Sequence, residues 1–164
     1  FRFIDGSIEQ TIGGGSPGYT YAWTTPDGSG LVVTDQDQSG LIAGTYNVTV
    51  TDTNGCIITS TITLTEPTPL TETISAFIYP NGDNISCSGF NDGSIDLTIG
   101  GGSPGYTYAW TTPDGSGLVV TDQDQSGLIA GTYNVTITDI NGCTITSTIT
   151  LTEPTPLTES ITAF

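Results

Sequence analysis

The chain contains no histidine and no lysine, and its single basic residue is Arg2. Without histidine it lacks the commonest general base and the commonest metal ligand. Without lysine it has no Schiff-base amine and no Walker-type phosphate loop. The Lys–Asn isopeptide bonds that brace some surface stalks are excluded too. Against Arg2 stand 17 Asp and Glu, a net charge of −16 that repels nucleic acid and anionic membrane surfaces. No apolar run approaches the ~20 residues of a membrane span, so no membrane insertion is expected. No signal-peptide pattern opens the chain, and mature or internal sequence is expected. Only carboxylates remain for acid–base work, with no paired arrangement to argue from. No enzyme activity is expected, and no catalytic residue is assigned.

What the chain does have is repetition. Gly44-Thr-Tyr-Asn-Val-Thr-Val-Thr-Asp-Thr-Asn-Gly-Cys56 returns as Gly131-Thr-Tyr-Asn-Val-Thr-Ile-Thr-Asp-Ile-Asn-Gly-Cys143. With Asp5 laid on Asp92, a shift of 87, residues 5–77 overlay residues 92–164 with differences only at 9, 10, 50, 53, 57, 73 and 75. That period is too long for a solenoid unit and suits an Ig-sized domain. Two full periods exceed the chain, which is expected to begin inside one repeat and end inside another. Glu66-Pro-Thr-Pro69 and Glu153-Pro-Thr-Pro156 mark the boundaries, because proline cannot continue a strand ladder and stiffens a junction. The expected division is an incomplete repeat lacking its first strand at 1–66, a complete repeat at 67–153, and the first strand of a following repeat at 154–164.

Tyr46, Val48 and Val50 alternate with Asn47, Thr49 and Thr51, the period of a half-buried strand. Asn54-Gly55 predicts a two-residue type I′ hairpin turn, with both residues at positive φ. In the complete repeat, strands are predicted over 70–79, 94–99, 106–110, 118–121, 127–129, 131–138 and 143–152. No stretch sustains a helical period. The expected fold is all-β, tandem Ig-like β-sandwich repeats of 87 residues. Trp23 and Trp110 are the expected sandwich tryptophans, and Tyr46 and Tyr133 are placed like the tyrosine corner of such folds. Tyr19, Tyr21 and Trp23 share one strand face. This reads as core, with a sugar-stacking platform as the alternative.

Four segments in order carry a resemblance. They are Cys87-Ser-Gly-Phe-Asn-Asp-Gly-Ser-Ile95, Gly101-Gly-Ser-Pro-Gly-Tyr-Thr-Tyr-Ala-Trp110, residues 128–143, and Thr152-Glu-Pro154. Together they resemble the SprB-type repeat of very large surface adhesins in gliding and related Bacteroidota. The resemblance spans essentially the whole chain. It implies an extracellular cell-surface fibre, exported by the type IX secretion system, whose partners are neighbouring copies of the repeat, head to tail. The opening Phe1-Arg-Phe-Ile4 departs from its counterpart Ser88-Gly-Phe-Asn91. A carbohydrate-binding module that recognises surface glycans is the alternative function.

The cysteines are read in the same extracellular frame. Cys56 and Cys143 are equivalent, and the counterpart of Cys87 falls one residue before Phe1. The simplest pattern is one disulfide per repeat, Cys87–Cys143, with the partner of Cys56 outside the chain. By chain entropy, closing such a loop would contribute roughly 4 kcal/mol. Free thiols and a Cys56–Cys87 bond are the alternatives. No zinc is expected, and no other cofactor. Asp35 and Asp37, with Asp122 and Asp124, are the Ca²⁺ candidates, against which stands the plainer reading of solvated acidic loops. The Gly-rich run 13–18 reads as a strand connector. The last segment, Leu157–Phe164, is expected to lie against the 1–66 unit of a neighbouring copy and not to fold into its own 67–153 domain.

Overall fold

The computed structural model describes residues 4–163; the atypical Phe1-Arg2-Phe3 and the closing Phe164 lie outside them. The chain divides into two compact units, residues 1–66 and 67–164. The first holds β1 (Gly6–Ile8), β2 (Thr20–Thr24), β3 (Gln38–Leu41), β4 (Gly44–Thr51) and β5 (Ile57–Leu64). The second holds β6 (Thr71–Ala76), β7 (Gly93–Gly100), β8 (Thr107–Thr111), β9 (Gln125–Leu128), β10 (Gly131–Thr138) and β11 (Thr144–Leu151). No helix occurs among the described residues.

Unit 2 is a sandwich of two three-stranded antiparallel sheets, β6-β7-β9 and β8-β10-β11. Lettered in chain order, these are A-B-E facing C-F-G, the Ig-like arrangement without its D strand. Alternation fills the space between the sheets. Ile95 and Leu97 of β7 meet Trp110 of β8 and Tyr133, Val135 and Ile137 of β10, all almost fully buried. The threonines and Asn134 of β10 point the other way and stay half-buried. The Tyr133 hydroxyl donates to the Ile129 carbonyl four residues upstream, 2.8 Å, and accepts from the Ser116 amide at 3.2 Å. This is the tyrosine corner, pinning the loop before β10 to the top of the core. A side chain on Gly115 would collide with the Tyr133 ring, so glycine is required there by close approach.

Unit 1 repeats this plan with one strand fewer among the described residues. Sheet β2-β4-β5 matches β8-β10-β11 pair for pair: Gly44 faces Leu64 as Gly131 faces Leu151. Its other sheet is only β1-β3, with no counterpart of β6. The core is Ile8, Trp23, Leu41, Tyr46, Val48 and Val50. Tyr46 makes the same corner, donating to the Ile42 carbonyl at 2.7 Å.

Two local expectations are corrected. Residues 118–121 form no strand. Their backbone is instead held by a buried side chain: the Val119 amide donates to Gln125 Oε1 (2.9 Å), and Gln125 Nε2 donates to the Val119 and Asp122 carbonyls. The Asn-Gly turns are not type I′, since no described non-glycine residue has positive φ. Gly55 alone is left-handed, φ 82°, and its amide closes a turn on the Asp52 carbonyl at 3.0 Å. That geometry is the three-residue hairpin with a left-handed glycine at its end.

Candidate functional site

The hairpin ends are organised by a carboxylate that the turn signal alone did not reveal. Asp139 Oδ1 accepts the amides of Asn141 and Cys143, both 2.9 Å, and Oδ2 accepts the Ser103 amide, 2.9 Å, from the distant Gly-rich loop. Asp52 does the same with Asn54, Cys56 and Ser16. Asn141 Nδ2 adds a bond to Ser103 Oγ. The Ser103 amide, then the other two, hold the Asp139 carboxyl below its ordinary range despite burial; for Asp52 the Ser16 amide leads. The arrangement clasps a loop and presents no free ligand oxygen. A depressed folded-state pKa stabilises above the ordinary carboxylate value, and that contribution fades as pH falls through the lower folded value. The melting temperature of unit 2 is therefore expected to fall below about pH 4. Asp139→Asn, with one acceptor oxygen for three amides, should lower the neutral-pH melting temperature and flatten the acid slope. Thermal melts across pH that show an unchanged slope in the variant would refute this.

The expected Cys87–Cys143 disulfide is absent: all three cysteines are free thiols. Strand direction explains it. Cys143 precedes the first residue of β11 beside Asp139, while the Cys87 loop sits at the far end of that strand. There Asn84 and Ile85 donate to the Thr152 carbonyl, and the Gly89 amide donates to Glu153 Oε2. The eight residues of β11 span about 26 Å at about 3.3 Å each. A disulfide needs Cα atoms within about 7 Å. Burial, then Asp139, pushes the Cys143 thiol up, which makes it a poor nucleophile. Cys56 is exposed, as is Cys87.

The acidic loops are engaged internally through one carboxylate oxygen each of Asp37 and Asp124 and through the main chain of Asp35 and Asp122. Asp37 Oδ1 accepts the Gln10 amide, and Asp124 Oδ1 accepts the Leu97 amide. The Asp35 and Asp122 carbonyls take the indole N–H of Trp23 and Trp110, each at 2.8 Å. Among the described residues no three acidic, cysteine or histidine side chains gather as a metal site. The aromatic row is no open platform. Trp23 and Trp110 are buried, and the Tyr21 and Tyr108 hydroxyls are held by Gln36 and Gln123.

One surface stands apart, the open side of unit 1. A groove of ≈ 390 Å³ runs between the 8–13 segment and β5, floored by Trp23 and Val48. Ile58 and Ile62 on its wall are 59 % and 43 % exposed. Their counterparts in unit 2, Ile145 and Ile149, are packed against the core. Gln10 stands where unit 2 has Leu97, and its Oε1 is buried without a hydrogen-bond partner.

The SprB repeat family model matches residues 81–115, from the turn after β6 to the loop after β8. The chain carries a SprB-type repeat. The matched stretch includes the Ser86–Asp92 loop, β7, the Gly-rich connector and Trp110 of unit 2. No curated protein matches the chain. Among solved structures, an amphioxus IgVJ-C2 molecule is similar at 15 % identity and TM-score 0.43, covering 92 % of this chain and 97 % of that one. The C-terminal 282-residue fragment of intimin, solved with the intimin-binding domain of its translocated receptor, is similar at 19 % identity and TM-score 0.41. That match covers 88 % of this chain and 56 % of the fragment chain. The Ig-like assignment of the two units rests on their own strand order and tyrosine corners. SprB repeats are a non-enzymatic kind of domain associated with surface adhesins.

Proposed function

We propose that this chain is part of the stalk of a repetitive extracellular surface adhesin or fibre, in which Ig-like beads follow one another head to tail. The observation that carries this reading is the SprB match on a sandwich that recurs within the same chain. The chemistry of the units agrees with it. Their polar groups are spent on loops and corners, as with Asp139, Gln125 and Tyr133. The outward rows of β11, Thr144, Thr146, Thr148 and Thr150, are exposed, hydroxylated and uncharged. Such a surface is soluble and supplies strand propensity without reactivity. Export by the type IX secretion system belongs to the same reading. An antibody against the chain should label intact, unpermeabilised cells of the source organism, and a broad-specificity protease applied outside should remove the label. Labelling that requires permeabilisation would overturn the proposal.

A further inference from the structure

We infer that the outer edge of β11 is a lateral docking edge, where the chain pairs antiparallel with β11 of a second copy. Each sheet of unit 2 has two edges, β6 and β9 in one, β8 and β11 in the other. Exposed edges invite foreign strands, and folded proteins blunt them with charge, proline, irregularity or cover. All but one are blunted here. β6 carries Glu72 and follows Pro67 and Pro69. β9 is four residues long, and its register with β7 is broken. β8 is covered by residues 118–121, whose Val120 carbonyl accepts the Trp110 amide at 3.1 Å. β11 has none of these devices. Its eight residues contain no charge, proline or glycine, and they pair with β10 without a bulge.

The ladder shows which groups are free. The Asp139 amide donates to the Cys143 carbonyl, and bonded and unbonded pairs alternate along an antiparallel ladder. Ile145, Ser147, Ile149 and Leu151 therefore spend their main-chain groups on β10, while those of Thr144, Thr146, Thr148 and Thr150 point outward. Thr152, next in that row, has the same direction: its carbonyl accepts the Asn84 and Ile85 amides from outside the ladder. Among the described residues no main-chain group meets the outward groups of the strand threonines. The occupant follows from the sequence. Thr144-Ile-Thr-Ser-Thr-Ile-Thr150 reads the same in both directions about Ser147. An antiparallel second copy therefore sets Thr146 against Thr148, Thr144 against Thr150 and Ile145 against Ile149. In this register outward groups meet outward groups, so the Thr–Thr pairs exchange main-chain bonds, and the half-buried isoleucines gain cover. Such a contact is isologous and closes at two copies. No carboxylate lies between Ile140 and Thr152, so like charges stay off the meeting edge, and salt, by screening the rest, should tighten it. β5 repeats the strand in unit 1 with Ile57 in place of Thr144, so one such edge recurs per repeat. Pairing of this kind joins chains side by side, and purified protein tests it whether or not the surface-stalk reading holds.

Light scattering under reducing conditions, which keep the exposed thiols of Cys56 and Cys87 from cross-linking, should show mass rising with concentration and with salt. Hydrogen exchange resolved by residue should slow at Thr144, Thr146, Thr148 and Thr150 over the same range. With β5 blocked by Thr59→Glu and Thr61→Glu, association should stop at twice the monomer mass. Adding Thr146→Glu and Thr148→Glu sets like charges opposite one another and should leave a monomer. All of these threonines are exposed, so the variants should fold. Mixing that monomer with a β5-blocked chain carrying Thr146→Lys and Thr148→Lys should restore the dimer. A wild-type chain that is monomeric at every concentration, or association that survives the Glu exchanges in β11, would overturn the inference. So would slow exchange at the strand threonines in a monomer, which would assign the edge to the chain's own segment. If a variant misfolds, the wild-type exchange rates decide alone, and rates independent of concentration overturn the inference.

Discussion

Trp110→Ala should unfold unit 2 at temperatures where unit 1 remains folded. Trp110 is 2 % exposed at the centre of its sandwich and packs among residues from both sheets. Truncating a buried tryptophan costs about 3–5 kcal/mol, from lost transfer energy and the cavity left behind. The change also leaves the Asp122 carbonyl without the indole N–H that it accepts at 2.8 Å. A small domain has only about 5–15 kcal/mol of stability to lose. Trp23 occupies the same place in unit 1, 3 % exposed and bonded to the Asp35 carbonyl. Calorimetry of the variant should therefore show unit 2 melting well below its wild-type temperature. The fluorescence of Trp23, the tryptophan that remains, should stay blue-shifted through that first transition. If the Trp23 signal moved with the first transition, the two cores could not be counted as separate.

Gly101→Ala is expected to damage unit 2 more than the equivalent Gly14→Ala damages unit 1. Both glycines are left-handed, with φ of 65° and 80°. A Cβ in that conformation costs about 1–2 kcal/mol at either site. The surroundings then differ. At Gly101 the new atom would overlap the Pro69 carbonyl oxygen, whereas at Gly14 nothing lies within 4 Å. Relieving the overlap means moving residues 68–70 and stretching the 2.8 Å bond from the Gly102 amide to the Thr68 carbonyl. That loss adds about 1 kcal/mol, before any disturbance of the packing of Leu70. Chemical denaturation of the two single variants measures the gap directly. Equal losses would mean that the lead-in to β6 is not seated against the Gly-rich loop.

Much of the fold is legible where the period is long and one face is buried. The alternation from Gly131 to Thr138 coincides with β10, and the run after Cys143 with β11, because burying every second residue allows only one register. The turns are less legible, since their geometry is decided by partners far along the chain. Asn54-Gly55 looks like a type I′ turn in isolation; Asp52, holding the amides of Asn54, Cys56 and the distant Ser16, selects the other form. An aspartate two residues before Asn-Gly is a signal that could have been used. Residues 118–121 form no strand because the side-chain amide of Gln125 takes both main-chain groups of Val119. The disulfide expectation failed for a different reason. An early loop can neighbour the last strand at either of its ends, and only one end carries Cys143. Hydrophobic pattern carries no information on that point. It follows from the antiparallel connection of β10 to β11 and from the docking of Asn84 and Gly89 at Thr152 and Glu153.

The same docking fixes the load path through unit 2. Chain enters beside the Gly-rich loop, where the Thr68 carbonyl is bonded to Gly102. It leaves at Glu153, beside Gly89, at the far end of β11. Entry and exit therefore lie at opposite poles, and a pull between them runs lengthwise along β6 and β11. The six residue pairs of β6 with β7 and the eight of β11 with β10 are then strained together, in shear. No pair at an end can open first and hand its load to the next, as in a zipper. A bead strung this way resists extension through all of its ladder at once.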